Sequence, residues 1–212
     1  MKKILTAVAL ATLAASAGAQ VTFAGGTDQV ITGIYNPTGT TTVQTGGKRN
    51  ATLSSTTAGI LTGTFLGFEA LDTDTWTFSM GSGTLTNKTA TADVSTIFGP
   101  VSAGLLTFTF ADLFTGTSVG NGGVGVGGTG MFTSYMVFGT GTGAGFVPYT
   151  KGGLYDVVIG FNDGLQVDGD YDDLIVGLKV AAIPEPETYA LLLAGLGAVG
   201  FIARRRQRQP QG

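Results

Sequence analysis

Hydrophobic and polar residues alternate over short runs along most of the chain. The clearest runs are VTFAGG, QVITGIY, GILTGTFLGF, TWTFSMG, GLLTFTFADLF, MFTSYMVFG, YDVVIGF and DLIVGLKV. Gly, Asn, Asp and Pro separate them, and no span between residues 20 and 182 keeps the spacing of an amphipathic helix. Alternation of this kind is typical of β-strands. The pattern therefore predicts an all-β domain, an antiparallel β-sandwich with a jelly roll as one version.

The first 19 residues follow a different pattern. Lys2 and Lys3 precede the apolar segment 4–15, and the small residues Ala17 and Ala19 follow it. A basic start, an apolar centre and a small-residue box occur in this order in secretory signal peptides. The sequence predicts cleavage after Ala19, so that the mature chain begins at residue 20.

Composition narrows the chemistry of the predicted domain, residues 20–182. This part holds five basic and twelve acidic residues, a formal charge of −7, which argues against a nucleic-acid partner. The whole chain has no histidine and no cysteine. Ser-His-Asp and Cys-His catalysis are therefore excluded, as are the common histidine sites for zinc, copper and iron. We expect a domain that is not an enzyme.

Acidic residues concentrate near the end of this domain, in the sequence NDGLQVDGDYDD. Carboxylates packed into one loop can together bind a hard cation such as Ca²⁺, which takes several oxygen ligands. No EF-hand is predicted, because Lys179 stands where that loop needs its last glutamate. A solvated turn rich in aspartate explains the same sequence. The candidate calcium ligands are Asp163, Asp168, Asp170, Asp172 and Asp173.

The last 30 residues, 183–212, again differ from the rest. Pro184 and Pro186 hold Glu185 extended and are expected to exclude helix there, so that a helix begins near Thr188. Residues 188–203 carry no charge and would span about 24 Å as a helix, close to the roughly 30 Å of a bilayer core. The sequence predicts a transmembrane helix at about 188–203.

A basic tail at 204–208 follows the uncharged run. Arginines placed directly after an apolar segment are a cytoplasmic stop signal under the positive-inside rule. With a signal peptide in front, the β domain is expected outside the inner membrane and the tail inside. The residues of this predicted stop signal are Arg204, Arg205, Arg206 and Arg208.

Pro-Glu-Pro, a short apolar helix and terminal arginines together resemble the PEP-CTERM sorting signal of Gram-negative bacteria. The resemblance implies an exosortase, a membrane enzyme similar to a cysteine transpeptidase, that recognises Pro184, Glu185 and Pro186 and releases or transfers the domain. It implies a transient inner-membrane anchor and a final location at the cell surface or in the extracellular matrix. Proteins with this signal are commonly linked to exopolysaccharide and biofilm matrix, so exopolysaccharide is an expected partner.

The sorting signal leaves three classes of function open for the β domain. A structural or adhesive matrix protein is the first hypothesis. A calcium-dependent carbohydrate-binding module is the second. The third is a secreted glycosidase that would use a pair of carboxylates, Glu69 and one of the loop aspartates.

Overall fold

The computed structural model describes residues 20–31, 46–68, 75–123, 125–126, 133–164, 171–183 and 186–207. These residues form sixteen strands, a 3₁₀ turn at Gly143–Gly145 and one α-helix, α1 (Pro186–Gln207). The strands are β1 (Val21–Ala24), β2 (Thr27–Gln29), β3 (Gly46–Arg49), β4 (Thr52–Ser55), β5 (Gly59–Gly67), β6 (Trp76–Met80), β7 (Gly83–Thr86), β8 (Ser95–Val101), β9 (Gly104–Leu105), β10 (Phe108–Asp112), β11 (Thr117–Gly120), β12 (Gly125–Val126), β13 (Ser134–Thr140), β14 (Val147–Pro148), β15 (Val157–Asn162) and β16 (Leu174–Ala182).

The strands form three sheets, and every strand pair in the described part of the chain is antiparallel. The largest sheet has the order β2-β3-β13-β15-β16-β5-β8, with β14 added alongside β13. A second sheet has the order β12-β11-β10-β6-β7, and a third has the order β1-β4-β9. The prediction of an all-β, antiparallel domain is confirmed, and the finer expectation of a jelly roll stays a prediction.

One hydrophobic core joins the three sheets. Alternate residues of β6 and β10 point inward, because successive side chains of a strand lie on opposite faces. Phe110 of β10 stacks on Phe161 of β15, with ring centroids 5.1 Å apart and planes 5° from parallel. Phe108 meets Tyr135 of β13 edge to face. The five-stranded sheet therefore packs face to face on the largest sheet, as in a sandwich.

The centre of the largest sheet is buried on both faces. Strands β13 and β15 show no alternation of burial over Ser134–Gly139 and Val157–Asn162, and a second apolar cluster lies on the face away from the main core. Met136, Phe138 and Val158 belong to this second cluster. Strands that are buried on both faces have continuous apolar sequences, which explains why the sequence predicted β13 and β15.

Asn121, in the turn after β11, joins two of the sheets. Its amide nitrogen donates to the carbonyls of Leu53 at 2.7 Å and Leu106 at 2.6 Å, and its oxygen accepts from the Leu53 backbone N–H at 2.8 Å. The Tyr135 hydroxyl donates to the Ala51 carbonyl beside it. These bonds fix the three-stranded sheet against the edge of the sandwich.

Candidate functional site

Two parts of the chain carry the predicted site residues, the acidic turn between β15 and β16 and the C-terminal segment. In the acidic turn, the structure describes three of the five candidate calcium ligands, Asp163, Asp172 and Asp173. All three are buried, between 2% and 9% exposed. Asp168 and Asp170 lie outside the described residues.

Asp163 is held by protein hydrogen bonds on both its backbone and its side chain. Its backbone N–H donates to Asp173 Oδ2 at 2.5 Å, and its own Oδ2 accepts from Trp76 Nε1 at 3.1 Å. The Thr133 hydroxyl donates to its carbonyl at 3.2 Å. Two carboxylate oxygens of the turn are thus used to fasten β15, β16 and β6 together, which is a structural role that the sequence did not indicate.

The residues on either side add to this closed arrangement. The Asn162 side chain accepts from the Gly164 backbone N–H at 2.7 Å and closes the turn after β15. Tyr171 is 3% exposed and has a left-handed backbone with φ 63°, which is uncommon for a bulky residue. Among the described residues, no group of three or more acidic side chains is placed to hold a metal ion. Calcium binding therefore stays a prediction that depends on Asp168 and Asp170.

The C-terminal segment starts directly from the largest sheet. Strand β16 pairs with β5 up to Ala182 opposite Gly59, and the Ile183 backbone N–H donates to the Ala58 carbonyl at 3.2 Å. At the other terminus of the domain, the Gln20 carbonyl accepts from the Thr56 backbone N–H at 2.8 Å. Both ends of the domain therefore lie beside one short segment, residues 56–58.

Helix α1 exposes large apolar side chains on all its sides. Its large hydrophobic residues are between 52% and 74% exposed, and at 100° per residue their positions surround the helix axis. No face of α1 over Tyr189–Ala203 carries a charged residue. The exposed residues are Tyr189, Leu191, Leu192, Leu193, Leu196, Val199, Phe201 and Ile202.

The limits of α1 correct two details of the sequence analysis. The helix begins at Pro186 instead of near Thr188, so Pro186 does not exclude helix. Proline fits the first helical position, because the N–H it lacks would have no partner within the helix there. The helix ends at Gln207, so Arg204, Arg205 and Arg206 belong to its last turns and not to a separate tail. The helix dipole favours basic residues in the last turn of a helix.

Several predicted positions lie outside the described residues: Ala17, Ala19, Pro184, Glu185, Arg208 and Glu69. The signal peptide therefore stays a prediction, as do the limits of the predicted domains. In the described residues, no helix combines the length and the hydropathy that a crossing of the membrane requires. The transmembrane helix of the sequence analysis is not confirmed.

Along the chain, the last strand of the β domain is followed by an apolar helix whose last turns contain arginines. A PEP-CTERM protein-sorting motif matches residues 182–207. The chain thus carries the sorting signal that its sequence resembles, consistent with a substrate of an exosortase. Searches of curated proteins and of solved structures found no match.

Asp156 is a residue that the sequence analysis did not single out. It is 7% exposed, and its Oδ2 accepts from the Val180 backbone N–H at 2.9 Å. Its own backbone N–H donates to the Leu178 carbonyl at 2.8 Å. Asp156 thereby ends the pairing of β15 with β16. An acid directly before an apolar strand was the available signal, but a turn aspartate gives the same sequence.

Proposed function

We propose that this protein is an exported structural or adhesive component of an extracellular matrix, delivered through its C-terminal sorting motif by an exosortase. The observation that carries the proposal is the motif at residues 182–207, placed directly after the last strand of a folded β domain. The motif implies export and a transient membrane stage. Release or transfer at Pro184-Glu185-Pro186 would leave the β domain as the delivered part.

The packing of the β domain supports a structural role. Its core is filled by aromatic rings, with Trp76, Phe78, Phe110 and Phe161 fully buried. Two surface cavities of about 210 Å³ and 190 Å³ lie along β7, β8 and their flanking turns. Both are smaller than the roughly 300–1,000 Å³ typical of small-molecule sites. We propose a structural role for the domain, with exopolysaccharide as its matrix partner.

The sorting step is tested in a host that contains an exosortase. The variant Pro184→Ala/Glu185→Ala/Pro186→Ala is expected to accumulate uncleaved in the inner membrane, whereas the wild type reaches the cell surface or medium with a new C-terminus. The control is Lys88→Gln, at an exposed position of the β domain, which leaves the whole C-terminal segment intact and should be processed. Intact mass and fractionation report both outcomes. Identical C-termini and locations for the triple variant and the wild type would contradict the proposal.

A calcium-dependent binding module is the second candidate, favoured by the burial of Asp163, Asp172 and Asp173 around one turn. A ligand that binds only the folded state raises the melting temperature by mass action. Calcium should therefore raise the melting temperature of the protein more than magnesium does, and Asp170→Ala should remove the difference. Asp28→Ala, an acid on β2, is the control. Equal melting curves with calcium and with chelator would leave the turn a structural one.

A further inference from the structure

The hairpin between β10 and β11 exposes two adjacent apolar side chains in its turn, residues 113–116, which we call the tip. Leu113 is 61% exposed and Phe114 is 78% exposed. The other two residues of the tip, Thr115 and Gly116, carry no charge. Single exposed apolar residues are common on protein surfaces, but two neighbours on one turn form a continuous apolar projection.

A buried carboxylate fixes the backbone of the tip. Asp112 is fully buried, and its two oxygens accept from the backbone N–H groups of Phe114 at 2.8 Å and Thr115 at 3.2 Å. The Thr115 hydroxyl also donates to this carboxylate. The Leu113 backbone N–H donates to the Thr75 carbonyl at 2.9 Å. Because the tip is already ordered, docking of Phe114 in a partner costs little conformational entropy.

A surface cavity of about 210 Å³ opens beside the turn after β6. None of the described residues that line it is charged. A cavity of about 150 Å³ between apolar side chains is large enough to bind benzene, so this cavity has room for one phenyl ring. Its apolar lining residues are Met80, Phe98, Pro100, Val101, Ala103 and Leu105.

The tip and the cavity lie at opposite ends of the pair formed by β6 and β10. Asp112 pairs with Trp76 at one end, and the tip follows Asp112 directly. Phe108 pairs with Met80 at the other end, where Met80 lines the cavity. Asp112 comes four residues after Phe108, which is about 14 Å along a strand. One copy can therefore offer its tip to one neighbour and its cavity to another.

The charge of the domain favours contact between copies through these two surfaces. Residues 20–182 hold five basic and twelve acidic residues, a formal charge of −7, so two copies repel each other through their charged surfaces. The tip and the cavity are uncharged and can meet without bringing acidic side chains together. The same negative charge opposes docking of the tip on an anionic surface.

We propose that the tip of one copy docks in the cavity of the next copy, so that the β domains join head to tail. A contact between two different surfaces leaves a free tip at one end and a free cavity at the other. Such a contact extends into a filament unless its rotation closes a ring. The inference rests on the proposed structural role in a matrix, and it does not depend on the sorting step.

The size of the contact predicts weak association of each pair. One aromatic side chain buries about 150–250 Å². Stable protein–protein interfaces bury about 1,200–2,000 Å² in total. Copies in dilute solution are therefore expected to separate, whereas copies held together at high local concentration, as in a matrix, associate through repeated contacts.

The absence of cysteine from the whole chain allows this weak contact to be trapped at chosen positions. Leu113→Cys places a thiol on the tip and keeps Phe114, and Ser102→Cys places a thiol at the exposed rim of the cavity. The two full-length variants are mixed in detergent with a bifunctional thiol reagent, and intact mass identifies the dimers. We expect the mixed dimer to dominate. A statistical mixture, or an excess of either uniform dimer, would overturn the head-to-tail contact.

Each surface is then changed by itself. Phe114→Ser, added to the tip variant, removes the ring and should slow formation of the mixed dimer about tenfold. Ala103→Trp, added to the rim variant, fills the cavity and should slow it to a similar extent. The control is Leu154→Ser, which removes a side chain that is 59% exposed and belongs to neither surface. It should leave the rate unchanged.

The two changes must agree for the proposal to hold. If Phe114→Ser slows trapping and Ala103→Trp does not, the tip docks on a different surface and the proposal is refuted. The substituted side chains are exposed, so the melting temperatures of the variants should match that of the wild type. Helix α1 is the same in every variant, so association through α1 does not explain a difference between them.

The sorting experiment has a separate outcome. If the mixed dimer is not favoured while Pro184→Ala/Glu185→Ala/Pro186→Ala blocks processing, sorting stands and the head-to-tail contact fails. If the mixed dimer is favoured while the triple variant is processed like the wild type, the contact stands and the sorting proposal fails.

Discussion

The β domain buries most of its large apolar side chains, whereas helix α1 exposes side chains of the same kinds. Phe110 in the domain is fully buried, whereas Phe201 in the helix is 70% exposed. Leu61 on β5 is fully buried, and Leu191 on α1 is 74% exposed. Both regions therefore contain large apolar side chains, but only the domain buries them.

The difference lies in how many faces of each element are apolar. Strands such as β6 and β10 have one buried face, which packs on the largest sheet across the sandwich. Helix α1 is apolar on all sides, and a helix of that kind needs cover on every side. Under the proposed sorting, the domain would be the delivered part and α1 the part that serves transport.

The largest effect that tests this comparison is expected at the centre of the domain. Phe110→Ala removes a ring that stacks on Phe161 and contacts Phe78 at 4.8 Å between centroids. We expect the free energy of unfolding to fall by about 3–5 kcal/mol, measured by urea denaturation. The control is Phe114→Ala, at the tip of the β10–β11 hairpin, where the ring is 78% exposed. A similar loss in both variants would contradict the burial argument.

The next effect is expected where the three-stranded sheet is fastened. Asn121→Ala removes the side-chain donor from the Leu106 carbonyl, whereas the Leu53 carbonyl keeps the backbone N–H of Leu106 as a donor. An unsatisfied buried group costs about 1–3 kcal/mol. Asn121→Asp keeps an acceptor for the Leu53 N–H but loses both donations. Urea denaturation should rank wild type above both variants. Full stability of Asn121→Asp would mean that the donations contribute nothing.

A smaller effect is expected at high pH. Burial raises the pKa of Tyr135 to about 12, although the Gly122 N–H that donates to its oxygen opposes the shift. The unfolded phenol titrates near about 10, so the unfolded state loses its proton first and is favoured as the pH rises from about 10 to about 12. The loss should reach about 2 kcal/mol. The free energy of unfolding of Tyr135→Phe should fall less than that of the wild type over this pH range. Parallel curves of unfolding free energy against pH for the two proteins would contradict this prediction.

The smallest effect on stability is expected when α1 is removed. A chain ending at Ile183 keeps the hydrogen bond to Ala58 and all strand pairs. Its midpoint of urea denaturation should match that of the full chain, while retention in the membrane fraction should be lost. A chain ending at Leu178, which also loses the last four residues of β16, is the control and should be destabilised. Marked destabilisation of the first truncation would show that α1 supports the domain.

The sequence predicted the long strands and the sorting segment because both depend on local patterns. Strands β5, β6, β13, β15 and β16 each contain an apolar run that stands out from its neighbours. Strands β3 (GGKR) and β7 (GTLT) do not, because their pairing partners, instead of their own residues, make them strands. The pairing of β3 with β13 is long-range and cannot be read from a window of sequence, whereas β7 pairs with the adjacent strand β6 in a hairpin.

The acidic turn and the start of α1 show the same limit for the site. Clustered aspartates predicted a shared ligand, but the structure uses Asp163 and Asp173 in hydrogen bonds between strands. Whether a carboxylate faces an ion or an N–H of the protein depends on residues far along the chain: the Trp76 indole N–H that donates to Asp163 lies 87 positions away. At Pro186, the rule that proline breaks helices competed with its preference for the first turn, and the preference prevailed.

Strand β16 lies between β15 and β5 and leads directly to Ile183, the residue before Pro184. Tension applied at that end acts along the strand axis, while the hydrogen bonds of antiparallel pairs run perpendicular to it. The bonds to β5, and those to β15 over the first half, are then loaded in shear together. An edge strand pulled outward would instead peel away one bond at a time. The domain is therefore held most firmly at the end through which an anchored protein would bear mechanical load.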